Sequence, residues 1–94
     1  MYARVVRFTD INAEHVAEVA GQIQEGGGPP PGVPAKSIKM MVDEDQSTAV
    51  VSIFFESEDD LRKGSEALDA MDAGETPGTR ASVDLCEVKA EMKA

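Results

Sequence analysis

The hydrophobic positions of this chain follow two different spacings. Four stretches are rich in β-branched and aromatic residues, which predicts strands over residues 2–8, 36–42, 48–55 and 80–89. In the interval after the first strand and in the interval after the third, apolar residues recur every three or four places, which predicts one helix in each. The predicted order is therefore β-α-β-β-α-β.

Each predicted helix starts at a polar residue that can cap its first turn. Asn12 can accept a hydrogen bond from a free amide at the start of the first helix. Ser57 holds the same place before the second, and the three acidic residues after it suit the positive end of a helix. The apolar stripes are Val16, Val19, Ala20 and Ile23 in the first helix and Leu61, Leu68 and Met71 in the second. Glycines 26–28 and Gly74 are the predicted helix ends.

Two βαβ halves in one chain predict a ferredoxin-like α+β fold, with a four-stranded antiparallel sheet and both helices on one face. The third strand is apolar on both sides, since Val51 and Ile53 alternate with Val50 and Phe54. Two helices cover only one face of such a sheet. The second apolar face predicts an interface, and we expect a homodimer that packs sheet to sheet.

Length and charge narrow the class of protein further. The 94 residues fit a single domain over residues 1–94. Eighteen acidic residues against nine basic ones give a net charge of −9, which argues against binding to nucleic acid or to an anionic membrane. The single cysteine, the lack of a membrane-length apolar run and the lack of a leader pattern together predict a cytoplasmic location.

A short motif at the end of the third strand carries a family resemblance. The stretch Phe55-Glu56-Ser57, followed by an acidic turn and Leu61, resembles the antibiotic biosynthesis monooxygenase-like family of dimeric α+β barrels, in which an aromatic–Glu–Ser stretch joins strand three to helix two. The turn Pro31-Gly32-Val33 is similar to the Pro-Gly-aromatic turn of that family. The resemblance covers nearly the whole chain and implies a dimeric α+β barrel with a pocket between the sheet and the helices of each subunit.

The resemblance leaves the activity open. Members include cofactor-independent oxygenases of polyketide-type phenols, haem-degrading enzymes and many proteins of unknown role, and the active types use Asn, Trp, His, Tyr and Arg. Here Gly64 stands where helix two often carries Trp, the only asparagine is the cap Asn12, and no histidine follows helix two. We expect a protein of unknown physiological role that binds a small apolar or anionic molecule without a cofactor. The alternatives are a cofactor-independent monooxygenase-type enzyme for an aromatic substrate and a structural or regulatory interaction protein.

Few residues could carry chemistry in such a pocket. By the resemblance, Arg4, Phe8, Phe55 and Leu68 are the predicted lining residues. Arg4 could hold a carboxylate or phenolate, and its alternative role is an ion pair with a helix acid or with a strand-end residue. The only histidine, His15, is a weak candidate for a general base and otherwise a partly solvated residue of the first helical turn. One histidine and one cysteine are too few for a structural zinc site, so no metal is predicted.

Three further residues have predicted places in the fold. Arg7 points to the face opposite Arg4, where it could pair with an acid of the partner chain, and Lys39 could do the same. Cys86 is predicted in the core or in the interface, because free cysteine behaves as a small hydrophobic residue.

Overall fold

The computed structural model describes residues 1–25, 32–70 and 78–93. Its elements are β1 (Tyr2–Thr9), α1 (Ala13–Glu25), β2 (Ser37–Asp43), β3 (Thr48–Phe55), α2 (Glu58–Ala70) and β4 (Thr79–Glu87). The strands pair antiparallel in the order β2-β3-β1-β4. The predicted α+β, ferredoxin-like βαββαβ fold is therefore confirmed. The predicted helix ends at glycines 26–28 and Gly74, and the apolar position Met71, lie outside the described residues.

The connections follow from this strand order. β1 and β2 run parallel with β3 between them, and β3 and β4 run parallel with β1 between them. Each helix therefore belongs to a crossover that passes over one intervening strand. Because such crossovers are right-handed, both helices fall on the same face of the sheet. Helix α2 lies against β1 and β3 on that face.

The core on the helix side consists of two clusters. Ile53, Phe55, Leu61 and Val33 form the cluster under α2. The second cluster, Val6, Phe8 and Ala49, lies further along the same face, where Ile11, Met40, Val51 and Val83 pack against it. Met40 is half-buried there, so it fills space at the edge of the core.

The helices differ in how much they contribute to this core. Helix α2 buries Leu61, Gly64 and Ser65, whereas α1 has no buried residue. Within the described part of the chain, neither helix has the length and apolar character needed to cross a membrane.

Candidate functional site

The α2–β4 groove

A groove of about 500 Å³ runs between helix α2 and the edge strand β4. It is lined by side chains from residues 58–66 of α2, from residues 85–87 of β4 and from Tyr2 at the start of β1, and we call it the α2–β4 groove. Its apolar part is formed by Tyr2, Leu61 and Leu85. Leu61 is buried, but Leu85 is 51% exposed. The groove therefore has an apolar wall that is left uncovered within a single chain.

The positions of the groove residues follow from local geometry. Arg62 follows Glu58 by four residues and precedes Ser65 and Glu66 by three and four, so these side chains share one side of α2. Leu85 pairs in register with Arg4 of β1 and alternates with the outward-facing Asp84. The apolar side of an edge strand thus faces one side of α2.

The charges of the groove are mainly negative. Three glutamates, Glu58, Glu66 and Glu87, stand against a single arginine, Arg62. Arg62 Nη2 donates to Glu58 Oε1 at 2.6 Å, and Glu87 Oε2 lies 3.1 Å from Lys89 Nζ. Glu66 has no ion-pair partner among the residues that the structure describes. The groove is therefore better suited to a neutral or cationic group than to an anion.

The predicted site residues

Arg4 is buried beneath α2 and already has a carboxylate partner. Its side chain is only 6% exposed, and its Nη2 donates to Asp69 Oδ1 at 2.9 Å. Arg80 Nη1 lies 3.6 Å from the same oxygen. No atom of residues 1–25, 32–70 or 78–93 accepts a hydrogen bond from Arg4 Nε. Of the roles predicted for Arg4, the structure shows the ion pair with a helix acid.

The other predicted pocket residues are separated in the structure. Phe55 is completely buried in the cluster under α2, where Leu68 packs against it half-buried. Phe8 is buried in the second cluster. None of Arg4, Phe8, Phe55 and Leu68 lines the α2–β4 groove. Their role as ligand contacts stays a prediction.

His15 and Cys86 also have clear positions. His15 is exposed on the first turn of α1, where its amide donates to Asn12 Oδ1 at 3.3 Å. Cys86 is exposed on β4 and borders the groove, so of its two predicted places, the core or the interface, the structure excludes the core of the chain. In the described ranges, no group of three His, Cys, Asp or Glu side chains is placed to hold a metal ion.

Sequence reasoning missed the groove itself. Tyr2, Ser65 and Leu85 were not among the predicted site residues, although the ferredoxin-like order already places the fourth strand beside the first. The alternation of Val83 and Leu85 on that strand could have identified its helix-facing side.

The open face of the sheet

The sheet face opposite the helices, which we call the open face, combines apolar and charged side chains. Three rows cross it in register: Ser37–Phe54–Ala3–Cys86, Lys39–Ser52–Val5–Asp84 and Met41–Val50–Arg7–Ser82. Val5 and Val50 are half-buried, whereas Met41 is 53% exposed. At the end of the face next to Lys39, the chain after β4 borders a cavity of about 350 Å³ together with Phe54.

The four charged residues of the open face balance one another. Lys39 and Arg7 carry positive charge, and Asp43 and Asp84 carry negative charge. The chain as a whole has a net charge of −9. The strands therefore contribute no net charge to the open face of an acidic molecule, and Glu91 of the segment after β4 borders the same cavity as Lys39.

Comparison with known proteins

Comparisons of this chain with protein-family models, with curated proteins and with solved structures find no match. The inference of function therefore rests on the groove and on the open face.

Proposed function

Binding of a small apolar molecule

We propose that this chain binds a small, largely apolar molecule in the α2–β4 groove. The observation that carries this proposal is the exposed Leu85 beside the buried Leu61 and the half-buried Tyr2 in a groove of about 500 Å³. Small-molecule sites have volumes of about 300–1,000 Å³ and combine apolar walls with a few polar groups. Ser65 and Glu66 supply such polar groups here.

The charges of the site favour a neutral or cationic ligand over an anionic one. Arg4, for which holding an anion is one of two predicted roles, is already paired with Asp69. In the groove itself, three carboxylates outnumber one guanidinium, and that guanidinium is paired with Glu58. An anionic ligand would have to displace a carboxylate or approach others of like charge.

A neutral fluorescent probe tests this proposal. N-phenyl-1-naphthylamine should bind the wild-type chain with a rise in fluorescence, and Leu85→Lys should weaken binding at least about tenfold because it removes the apolar wall. Val42→Lys is the matched control, since Val42 is 41% exposed on the opposite edge strand. Equal binding by the wild type and Leu85→Lys would reject the groove as the site, and native mass spectrometry would detect a ligand retained from cells.

Homodimer through the open face

A second candidate function is self-association through the open face, which would make the chain half of a dimeric α+β barrel. The observation that favours it is the charge balance of that face, together with the apolar side chains of Val5, Val50 and Met41. Elsewhere the excess of acidic residues makes two copies repel one another. The open face is a surface where two copies can approach without net repulsion.

The molar mass in solution tests the homodimer. At micromolar concentration, sedimentation velocity should give twice the 10.0 kDa of one chain. Val50→Lys should shift the mass towards that of one chain, because it places a charge among the apolar side chains of the open face. Val42→Lys should leave the mass unchanged, because Val42 lies on the opposite face of the sheet. A wild-type mass equal to one chain at this concentration would contradict the proposal.

The proposal includes membership of the antibiotic biosynthesis monooxygenase-like family and a cytoplasmic location. Two features support the family: the βαββαβ order and the Phe55-Glu56-Ser57 junction, where Ser57 Oγ accepts a hydrogen bond from the Asp60 amide at 3.1 Å.

A further inference from the structure

The two charges at the ends of one row of the open face lie on opposite edges of the sheet. Lys39 is on β2 and Asp84 is on β4, and Ser52 and Val5 lie between them in register. With strands spaced about 4.8 Å apart, their Cα atoms are about 14 Å apart. Both residues are exposed, and neither has an ion-pair partner in the described part of the chain, although Lys39 Nζ lies 5.7 Å from the Phe54 ring centroid.

Twofold symmetry restricts how two such faces can meet. A pair of identical faces packed against each other needs a twofold axis that lies in the plane of the interface. If the axis runs parallel to the strands between β3 and β1, then β2 of one copy lies over β4 of the other. Each row then lies over the same row of the partner subunit, with the order of its four residues reversed. Lys39 then faces Asp84 of the partner subunit, and the contact occurs twice.

The perpendicular axis gives a poorer match. An axis that crosses the strands sets β2 over β2 and β4 over β4. When it passes through the row of Lys39, each Lys39 meets its own copy and each Asp84 meets its own copy, which is repulsive. When it passes between the rows of Lys39 and Met41, Lys39 faces Met41 and Asp84 faces Ser82; when it passes between the rows of Lys39 and Ser37, they face Ser37 and Cys86. Neither charge is compensated in either case.

We propose that two copies of this chain pack open face to open face about an axis parallel to the strands. Reciprocal Lys39–Asp84 pairs then form at the two edges of the interface, where β2 of one copy lies over β4 of the other, and we call these edges its rims. This inference rests on the proposed homodimer and specifies its geometry. In this arrangement Arg7 lies over Val50 of the partner subunit, so its aliphatic stem covers apolar surface. The rim pairs set orientation, while the apolar centre supplies most of the buried area.

Mixing two charge-reversed variants tests the geometry. In a homodimer of Lys39→Asp, two carboxylates face each other at each rim, and in a homodimer of Asp84→Lys, two ammonium groups do so. Each variant alone should therefore self-associate at least about tenfold more weakly than the wild type. In the mixed heterodimer both rims pair opposite charges again, so a 1:1 mixture should recover an affinity near that of the wild type, as measured by sedimentation velocity.

Two controls accompany the mixing experiment. The double variant Lys39→Asp/Asp84→Lys, in which the two charges are exchanged within one chain, should dimerise like the wild type. Arg7→Asp makes the same charge change on the same face, but its mixture with Asp84→Lys should not recover wild-type affinity, because one rim still pairs Lys39 with the introduced lysine. Far-UV circular dichroism checks that every variant is folded.

The possible outcomes distinguish an error in the proposed axis from an error in the proposed homodimer. If the wild type dimerises and the mixture of Lys39→Asp with Asp84→Lys associates no more tightly than either variant alone, the proposed axis is wrong while the homodimer stands. If the wild type is a monomer across the micromolar range, both are wrong. Recovery in the mixture and in the double variant, but not in the Arg7→Asp control, supports the proposed geometry.

Discussion

The ring of Phe55 occupies the space that Gly64 leaves on the sheet-facing side of α2. Phe55 is 0% exposed, and a Cβ atom built on Gly64 would lie 2.6 Å from its Cζ atom, well inside van der Waals contact. The aromatic ring comes from the strand, and the helix supplies the gap that receives it.

Substitution of Gly64 should reveal this contact. Gly64→Ala should lower the free energy of unfolding by about 1–2 kcal/mol, because overpacking costs about 1–3 kcal/mol while the gain in helix propensity is at most about 1 kcal/mol. Gly21→Ala in α1 is the matched control, since nothing lies within 4 Å of the added Cβ, and it should raise stability by about 0.5–1 kcal/mol. Urea unfolding measures both, and a gain at Gly64 equal to that at Gly21 would contradict the contact.

Arg4 takes one of the two roles predicted for it, the ion pair with a helix acid. A guanidinium buried beside apolar strands needs a compensating charge. That charge comes from Asp69, which is 65 residues away in sequence, and Arg80 approaches the same carboxylate. The folded chain thus provides the carboxylate that a ligand would otherwise have to supply.

At the scale of elements, the two helices begin in the same way but are attached differently. Asn12 Oδ1 accepts from the amides of Glu14 and His15, and Ser57 Oγ accepts from the amide of Asp60, which confirms both predicted caps. The apolar stripe of α1 is nevertheless only half-buried, whereas α2 contributes Leu61 to the core. Helix formation is therefore local in both cases, and firm attachment to the sheet is seen only for α2.

Hydrogen exchange should separate the two helices. Amides of α1 should exchange faster than those of α2 and β3, because local opening of α1 exposes no buried side chain. Mass spectrometry of peptides covering residues 13–25 and 58–70 measures the difference. Equal protection of the two peptides would show that α1 is held by contacts as strong as those of α2.

At the scale of the whole molecule, charge and apolar surface are distributed unequally. The acidic excess lies on the helices and on the β2–β3 turn, while the open face is balanced in charge. A chain of 94 residues has a limited core, so covering the apolar side chains of the open face would add appreciable stability. The proposed dimer is thus expected to contribute to folding stability as well as to shape.

Thermal unfolding should therefore depend on protein concentration. If two folded copies associate, mass action raises the unfolding midpoint as the concentration increases from about 1 to about 100 μM. The midpoint of Val50→Lys, which disrupts the centre of the open face, should stay constant over the same range. Differential scanning fluorimetry measures both, and a wild-type midpoint that does not change with concentration would argue against the dimer.

Much of the fold could be predicted from the sequence because its causes are local. Alternation, helical spacing and the two caps depend on neighbours within a few residues, and all six elements occur in the predicted order. The observed β4 differs from the predicted strand only at its ends, spanning Thr79–Glu87 instead of residues 80–89. Of the candidate site, the sequence predicted the ion pair of Arg4 with a helix acid as one alternative but not the identity of Asp69.

The groove and the partners of the charged residues depend on contacts between distant parts of the chain. Which turn of α2 lies over which strand decides that Asp69 reaches Arg4 and that Leu61 lies close to Leu85. Strand register likewise decides that Lys39 and Asp84 share a row. Pattern along the chain thus determines which residues face the same way. Only tertiary packing determines which of them meet, because that choice is made by the fit of whole surfaces.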